Sequence, residues 1–179
     1  MSDHGNVELL NAIDAGALGE FARVLERRQW SPADLREALF RSISLNRDDA
    51  ARLVLRGSLQ ADFTDDYGTT ALMLAARHDR LWAIKALLDR GARINACDIV
   101  GWTALFYAAR GQHADAVREL LDAGADVAHR DSEGHSVLYV ARRAHFSMHL
   151  PFGIVIAGVR PTLYASEAYR VLSQAGAPR

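Results

Sequence analysis

Apolar residues along the middle of the chain fall in pairs of short, helically spaced runs. Leu72, Ala75 and Ala76 form one run, and Ile84, Leu87 and Leu88 the next. Leu105, Ala108 and Ala109 are followed in the same way by Val117, Leu120 and Leu121. Steps of three and four place each set on one face of a helix, so the pattern predicts pairs of short amphipathic helices. The alanines of each first helix let a neighbouring helix approach closely. Polar turn signals separate the pairs. Asp65, Asp98 and Asp131 each open an Asp-x-x-Gly tetrapeptide, where glycine supplies backbone freedom and aspartate a local hydrogen-bond acceptor. Thr70, Thr103 and Ser136 stand where an N-cap hydroxyl begins a helix. Gly91 and Gly124 suit the left-handed position that ends one.

These features share one interval. The segments 65–97, 98–130 and 131–146 align without gaps, with Asp65, Asp98 and Asp131 spaced by 33 residues, as are Gly68, Gly101 and Gly134, and Leu72, Leu105 and Leu138. The unit is turn, helix, helix, and it buries its apolar stripe only against a copy of itself. Leu39, Val54 and Leu55 lie 33 residues before Leu72, Leu87 and Leu88, so 31–64 reads as a degenerate repeat opened by Ser31 and Pro32. Residues 6–30 carry the helix-pair pattern once more, through Val7, Leu10 and Ile13, then Leu18, Phe21, Val24 and Leu25, and read as an N-terminal cap unit. The last unit, 131–177, is longer. Ala108 to Gly124 is 16 residues but Ala141 to Gly176 is 35, so an insert at about 147–164 pushes the second helix back to 166–177. The expectation is one all-α domain over 1–179, a solenoid of about five helix-turn-helix units with short β-turn fingers.

This unit resembles the ankyrin repeat. G-x-T-A-L stands at 68–72 and 101–105, L-L-D-x-G-A at 87–92 and 120–125, and G-A-D at 124–126. The departures are consistent: the usual proline is Ala71, Ala104 and Val137, the usual histidine is Met73, Phe106 and Tyr139, and the glycine between the helices is Asp79, Gln112 and His145. The resemblance implies a protein-binding scaffold that rarely carries catalysis. It also implies that the residues flanking the turn glycine and those ending the first helix form the concave face and finger tips. Carried onto this chain, these are Asp66, Tyr67, Thr69, Arg77 and His78, then Ile99, Val100, Trp102, Arg110 and Gly111, then Ser132, Glu133, His135, Arg142 and Arg143. Tyr67, Ile99, Val100 and Trp102 are apolar where a solvated turn is normally polar. Arg77, Arg110 and Arg143 recur at the repeat interval as a ladder. Aromatic residues and arginine are the types enriched in binding hot spots. The competing reading is that the bulky turn residues pack on the neighbouring finger and the arginines are merely solvated.

Composition narrows the function. The chain has 179 residues, with 21 basic against 22 acidic, a formal charge of −1. That balance argues against a non-specific nucleic-acid or anionic-membrane binder. The single cysteine, Cys97, forms no internal disulfide and fits a reducing, cytoplasmic compartment. No signal-peptide pattern opens the chain, and the longest apolar stretch, 152–159, is far short of the roughly 20 residues that span a bilayer. Lys85 is the only lysine among the basic residues, a skew that points to a GC-rich bacterial genome.

Catalytic motifs are missing: there is no phosphate-binding G-x-x-x-x-G-K-[ST] loop, no G-x-G-x-x-G and no G-x-S-x-G elbow. Cys97 and His129 lie one position off across adjacent units, a conceivable nucleophile pair that lacks an oxyanion hole. His145 and His149 have i, i+4 ligand spacing, but Phe146 stands where a zincin carries glutamate. No metal, no cofactor and no enzymatic activity are expected. The function expected is a module that engages a dedicated protein partner. Alternatives within that class are an inhibitor (immunity protein) of a bacterial toxin and an exported effector docking on a host protein. The insert, apolar through Phe152, Ile154, Val155, Ile156 and Val159, has three readings. It caps the open end of the stack, it binds a partner or a second copy to give a weak dimer in place of a monomer, or it touches a membrane.

Overall fold

The computed structural model describes residues 5–27, 29–57, 61–149 and 166–176, with side chains through Ala144 in the third stretch. Its helices are α1 (Gly5–Asp14), α2 (Leu18–Glu26), α3 (Pro32–Ser44), α4 (Asp48–Arg56), α5 (Ala71–Arg77), α6 (Leu81–Leu88), α7 (Ala104–Arg110), α8 (Ala114–Asp122), α9 (Val137–His149) and α10 (Glu167–Gln174). Among the described residues the only β-pairing is two isolated bridges, Thr64 with Thr70 and Arg130 with Ser136. The first helices of the units, α1, α3, α5, α7 and α9, pack each on the next. The second helices form the other layer, where α2 meets α4, α6 meets α8 and α8 meets α10.

The core lies between these layers and follows the repeat. Leu39, Leu72, Leu105 and Leu138 form one buried column, and Ile84 and Leu87 are matched one unit on by Val117 and Leu120. Each such side chain is worth about 1.5–3 kcal/mol of burial. Ala75, Ala76, Ala108 and Ala109 are wholly buried, which lets α5, α7 and α9 stack closely. Leu88 and Leu121 are half-buried and pack on the rim of this core.

Most of the helix-start signals act as capping chemistry predicts. Ser31 Oγ accepts the Asp34 N–H at 3.1 Å and Asp34 returns a bond to the Ser31 N–H, with Pro32 in the first turn. Thr70 caps Met73 at 3.2 Å and Ser136 caps Tyr139 at 3.3 Å. Thr103 departs from this expectation: its side chain makes no cap bond, and the Phe106 N–H goes to the Thr103 carbonyl at 3.0 Å.

The turn between the two helices of a unit is made the same way four times. Gly16, Asn46, Asp79 and Gln112 are left-handed (φ 68°, 59°, 55° and 60°). The following N–H reaches back five residues, as in Arg80 to Ala75 at 2.8 Å and His113 to Ala108 at 3.0 Å. A side chain in this conformation costs roughly 1–2 kcal/mol, so three units carry strain that glycine would relieve. The fifth unit differs: His145, at the same position, stays helical, and α9 runs on to His149. The insert expected at about 147–164 lies outside the described residues beyond that point. Beyond it, α10 takes the second-helix place, with Ser166 capping Tyr169 at 3.2 Å, Ala168 and Leu172 buried, and Gly176 left-handed.

Candidate functional site

The fingers are built from the Asp-x-x-Gly signature. Asp65, Asp98 and Asp131 each donate their N–H to the carbonyl four residues on (Thr69, Trp102 and His135, 3.0–3.1 Å), closing a tight tip. Each aspartate Oδ1 then accepts two N–H groups inside its tip, from Tyr67 and Thr69, from Val100 and Trp102, and from Glu133 and His135, at 2.8–3.0 Å. One backbone bond joins each tip to the next, Ile99 N–H to the Tyr67 carbonyl and Ser132 N–H to the Val100 carbonyl, both at 3.0 Å. Gly101 is required twice over: its φ is 80°, and a Cβ there would come within 2.8 Å of the Ser132 nitrogen. A Cβ on Gly134 would meet nothing within 4 Å, because no further described finger stacks on the third.

These tips present apolar side chains to solvent. Tyr67 is 66% exposed, Ile99 68% and Val100 48%. Between the second and third tips and the helices α7 and α9 lies a groove of about 660 Å³. Eight of the residues expected at a binding face line it: Ile99, Val100, Trp102, Arg110, Ser132, Glu133, His135 and Arg143, with Tyr139 and Val140 beside them. The others, Asp66, Tyr67, Thr69, Arg77, His78, Gly111 and Arg142, are elsewhere. Tyr67 is on the preceding tip, and Arg77 is exposed at the end of α5, one repeat before Arg110. His78 is half-buried in the turn after α5, where burial, then the charges of Arg77 and Arg80, hold its pKa down. Arg142 is exposed on α9 at the position that is a buried alanine, Ala76 or Ala109, in the two units before.

Carboxylates fix the aromatic part of this groove. The Trp102 indole N–H donates to Asp131 Oδ2 at 3.2 Å across the two fingers, and its ring lies edge-on to Tyr107 with centroids 5.4 Å apart. The Tyr107 hydroxyl donates to Asp98 Oδ2 at 2.7 Å, and burial together with that carboxylate pushes the phenol well above its usual range. The Asp131 side chain is 6% exposed. Burial alone would raise its pKa, but the bonds from the His135 N–H, the Trp102 indole and the Glu133 N–H outweigh it and hold the carboxyl low. His135 stacks flat on Tyr139 at 4.2 Å, with Nδ1 3.3 Å from Glu133 Oε2. Trp102 and His135 therefore pack on neighbouring elements while lining the groove.

The arginines are less engaged. Arg110 lies 5.3 Å over the Trp102 ring and Arg143 reaches the Tyr139 hydroxyl at 3.4 Å. Among the described residues no ion pair involves Arg77, Arg110 or Arg143. Tyr139 and Val140 were not singled out from sequence as site residues, although Leu74, Tyr107 and Val140 recur at the repeat interval, as do Phe106 and Tyr139.

Cys97 and His129 are brought together, with Sγ 3.6 Å from Nε2. The same Nε2 lies 2.9 Å from the Gly101 carbonyl, which takes its N–H and leaves it no lone pair for the thiol proton. Burial and the charge of Asp98 also raise the thiol pKa, the reverse of an activated nucleophile. Among the described residues no three histidine, cysteine or carboxylate groups cluster as metal ligands, and no helix is long and apolar enough to cross a membrane. The side chains of His145 and His149 lie outside the description.

A family model of ankyrin repeats (3 copies) matches residues 9–98 and 93–148, well over half of the chain. No curated protein matches it.

Proposed function

The chain belongs to the ankyrin-repeat family, whose repeats are protein-interaction modules, and from that premise we propose that it binds one dedicated protein partner without catalysis of its own. The surface used is the finger tips with the groove between α7 and α9. The observation that carries this reading is the exposure of Ile99 and Val100 at a tip whose other contacts are closed backbone bonds. Exposed aliphatic groups beside Trp102 and Arg110, the residue types enriched in binding hot spots, make a patch suited to a protein partner. The exposed, unpaired thiol of Cys97 supports action in the cytoplasm.

Affinity purification from the native cells tests the reading, using the natural chain and an Ile99→Asp, Val100→Asp double variant. Both side chains point to solvent, so the variant should keep its helices and melting temperature. The wild type should retain a partner that the variant loses. A partner retained equally by both would place the interface elsewhere. A toxin recovered from the producing cell would make the chain an inhibitor, and a host protein would make it an effector.

A further inference from the structure

We propose that the groove takes an acidic protein segment with one apolar anchor. Its carboxylates meet Arg77, Arg110 and Arg143 at one-repeat spacing, and its apolar side chain covers Ile99 and Val100. The inference rests on the groove reading above and names the chemistry of the partner.

Three observations carry it. First, the three arginines occupy one position of three successive units, and all are exposed. In the unit before them the position is Ser44. Second, other arginines are engaged within the fold: Arg41 by Asp14, Arg93 by Asp62, and Arg47 by the carbonyls of Ile13 and Asp14. Arg77, Arg110 and Arg143 have no carboxylate partner among the described residues, and the two aspartates at the base of these fingers are already committed. Asp98 holds Val100, Trp102 and Tyr107, and Asp131 holds Glu133, His135 and Trp102. Third, Arg110 and Arg143 line the groove together with the exposed aliphatic tip of Ile99 and Val100, so charge and apolar area are offered together.

A polyanion of uniform charge fits less well. Glu133 is 80% exposed at the rim of the same groove, the formal charge of the chain is −1, and the tip side chains Ile99 and Val100 are aliphatic where base stacking uses aromatics. A protein segment can set a neutral residue opposite Glu133, whereas a nucleic-acid backbone cannot.

The test is selection of a phage-displayed random peptide library on the full chain, followed by binding of the enriched peptides in solution. The comparison set is the wild type, an Arg77→Glu, Arg110→Glu, Arg143→Glu triple variant, an Ile99→Ser, Val100→Ser double variant, and Arg56→Glu, an exposed arginine of α4, as control. Enriched peptides should be acidic with an aliphatic or aromatic residue. Their affinity should fall at least about tenfold in the triple variant and when salt rises from about 50 to about 500 mM. The double variant should also weaken them, and the control should not. If charge reversal lowers the melting temperature, the Arg→Gln triple variant replaces it. Peptides that need Ile99 and Val100 but carry no acid and ignore the arginines overturn this inference and leave the groove reading standing. Peptides indifferent to both sets, or no enrichment, overturn both. An oligothymidylate bound more tightly than any peptide, and released by the triple variant, would assign the ladder to nucleic acid and overturn the proposal.

Discussion

On the same finger side, between α1, α3 and α5, lies a second groove of about 730 Å³, lined by Asp14, Glu37, Phe40, Arg41, Ser44, Leu45, Arg47, Asp65 and Leu74. It is close in size to the groove between α7 and α9 and also carries ionisable groups, yet its charges are engaged within the fold. Arg41 forks onto Asp14, with Nε 2.6 Å from Oδ1, and that hydrogen bond holds the carboxyl below its usual range. Arg47 caps the end of α1 through the Ile13 carbonyl, Glu37 accepts from Asn6, and Asp65 is taken up by its own tip. In the second half, Arg110 stands over the Trp102 ring and Arg143 reaches only the Tyr139 hydroxyl. The two grooves thus put their charges to different work. Where the first half needs charges to join an irregular cap unit to its neighbour, they are structural. Where the repeat is regular, backbone bonds between fingers join the units, and the side chains of the same face are left for a partner.

The largest effect tests what the two halves share. Leu72→Ala and Leu105→Ala occupy one buried column on either side of the boundary and should each cost about 2–5 kcal/mol in denaturant unfolding. An unchanged midpoint for either would mean that the stack is not continuous there. Next, Asp131→Ala strands two tip N–H groups and the Trp102 indole, and should cost about 1.5–3 kcal/mol. Asp14→Ala, at an exposed pair, should cost far less. Equal losses would erase the distinction between a carboxylate that builds the groove and one that merely pairs on the surface.

Acid and alkaline unfolding sharpen the same point. Asp131 has a lowered folded pKa, so its contribution is complete above the unfolded value of about 3.9 and is lost as pH falls through the folded one. Tyr107 has a raised folded pKa, so its contribution is complete below about 10 and is lost as pH climbs beyond it. Tyr107→Phe should therefore flatten the alkaline limb of a stability–pH curve and leave the acid limb alone. The smallest effect concerns strain. Asp79→Gly should stabilise by about 0.5–1 kcal/mol, because its left-handed turn is relieved and its side chain holds only a long contact to His113. Gln112→Gly should show no such gain, since the Gln112 amide donates to the carbonyls of Ala109 and Ala141 at 2.8 and 2.9 Å.

What could be read from the chain alone was set by how local the physics is. Asp98, Gly101, Leu105 and Gly124 each perform a backbone or core task that few residue types can perform, so their 33-residue recurrence exposed the repeat, its fingers and its helix ends. The candidate arginines and tip residues followed from position within the unit. What stayed hidden depends on contacts between units. That the Trp102 indole is tied to Asp131, that Tyr107 is held by Asp98, and that the Asp14–Arg41 pair closes the first groove are all bonds spanning separate elements. The left-handed Asn46, Asp79 and Gln112 stand at or in register with the family's glycine position, but residue type alone hides a strained backbone. The continuation of α9 past His145 leaves no composition signal either.

The claim that one groove binds and the other only holds the fold together is tested most directly by site-specific photocrosslinking in the native cells. Benzoylphenylalanine is introduced at Ile99 in one chain and at Leu45, which is 45% exposed in the first groove, in another. The expected result is a single crosslinked protein from position 99 and none from position 45. A crosslink from position 45 with none from position 99 would contradict the account.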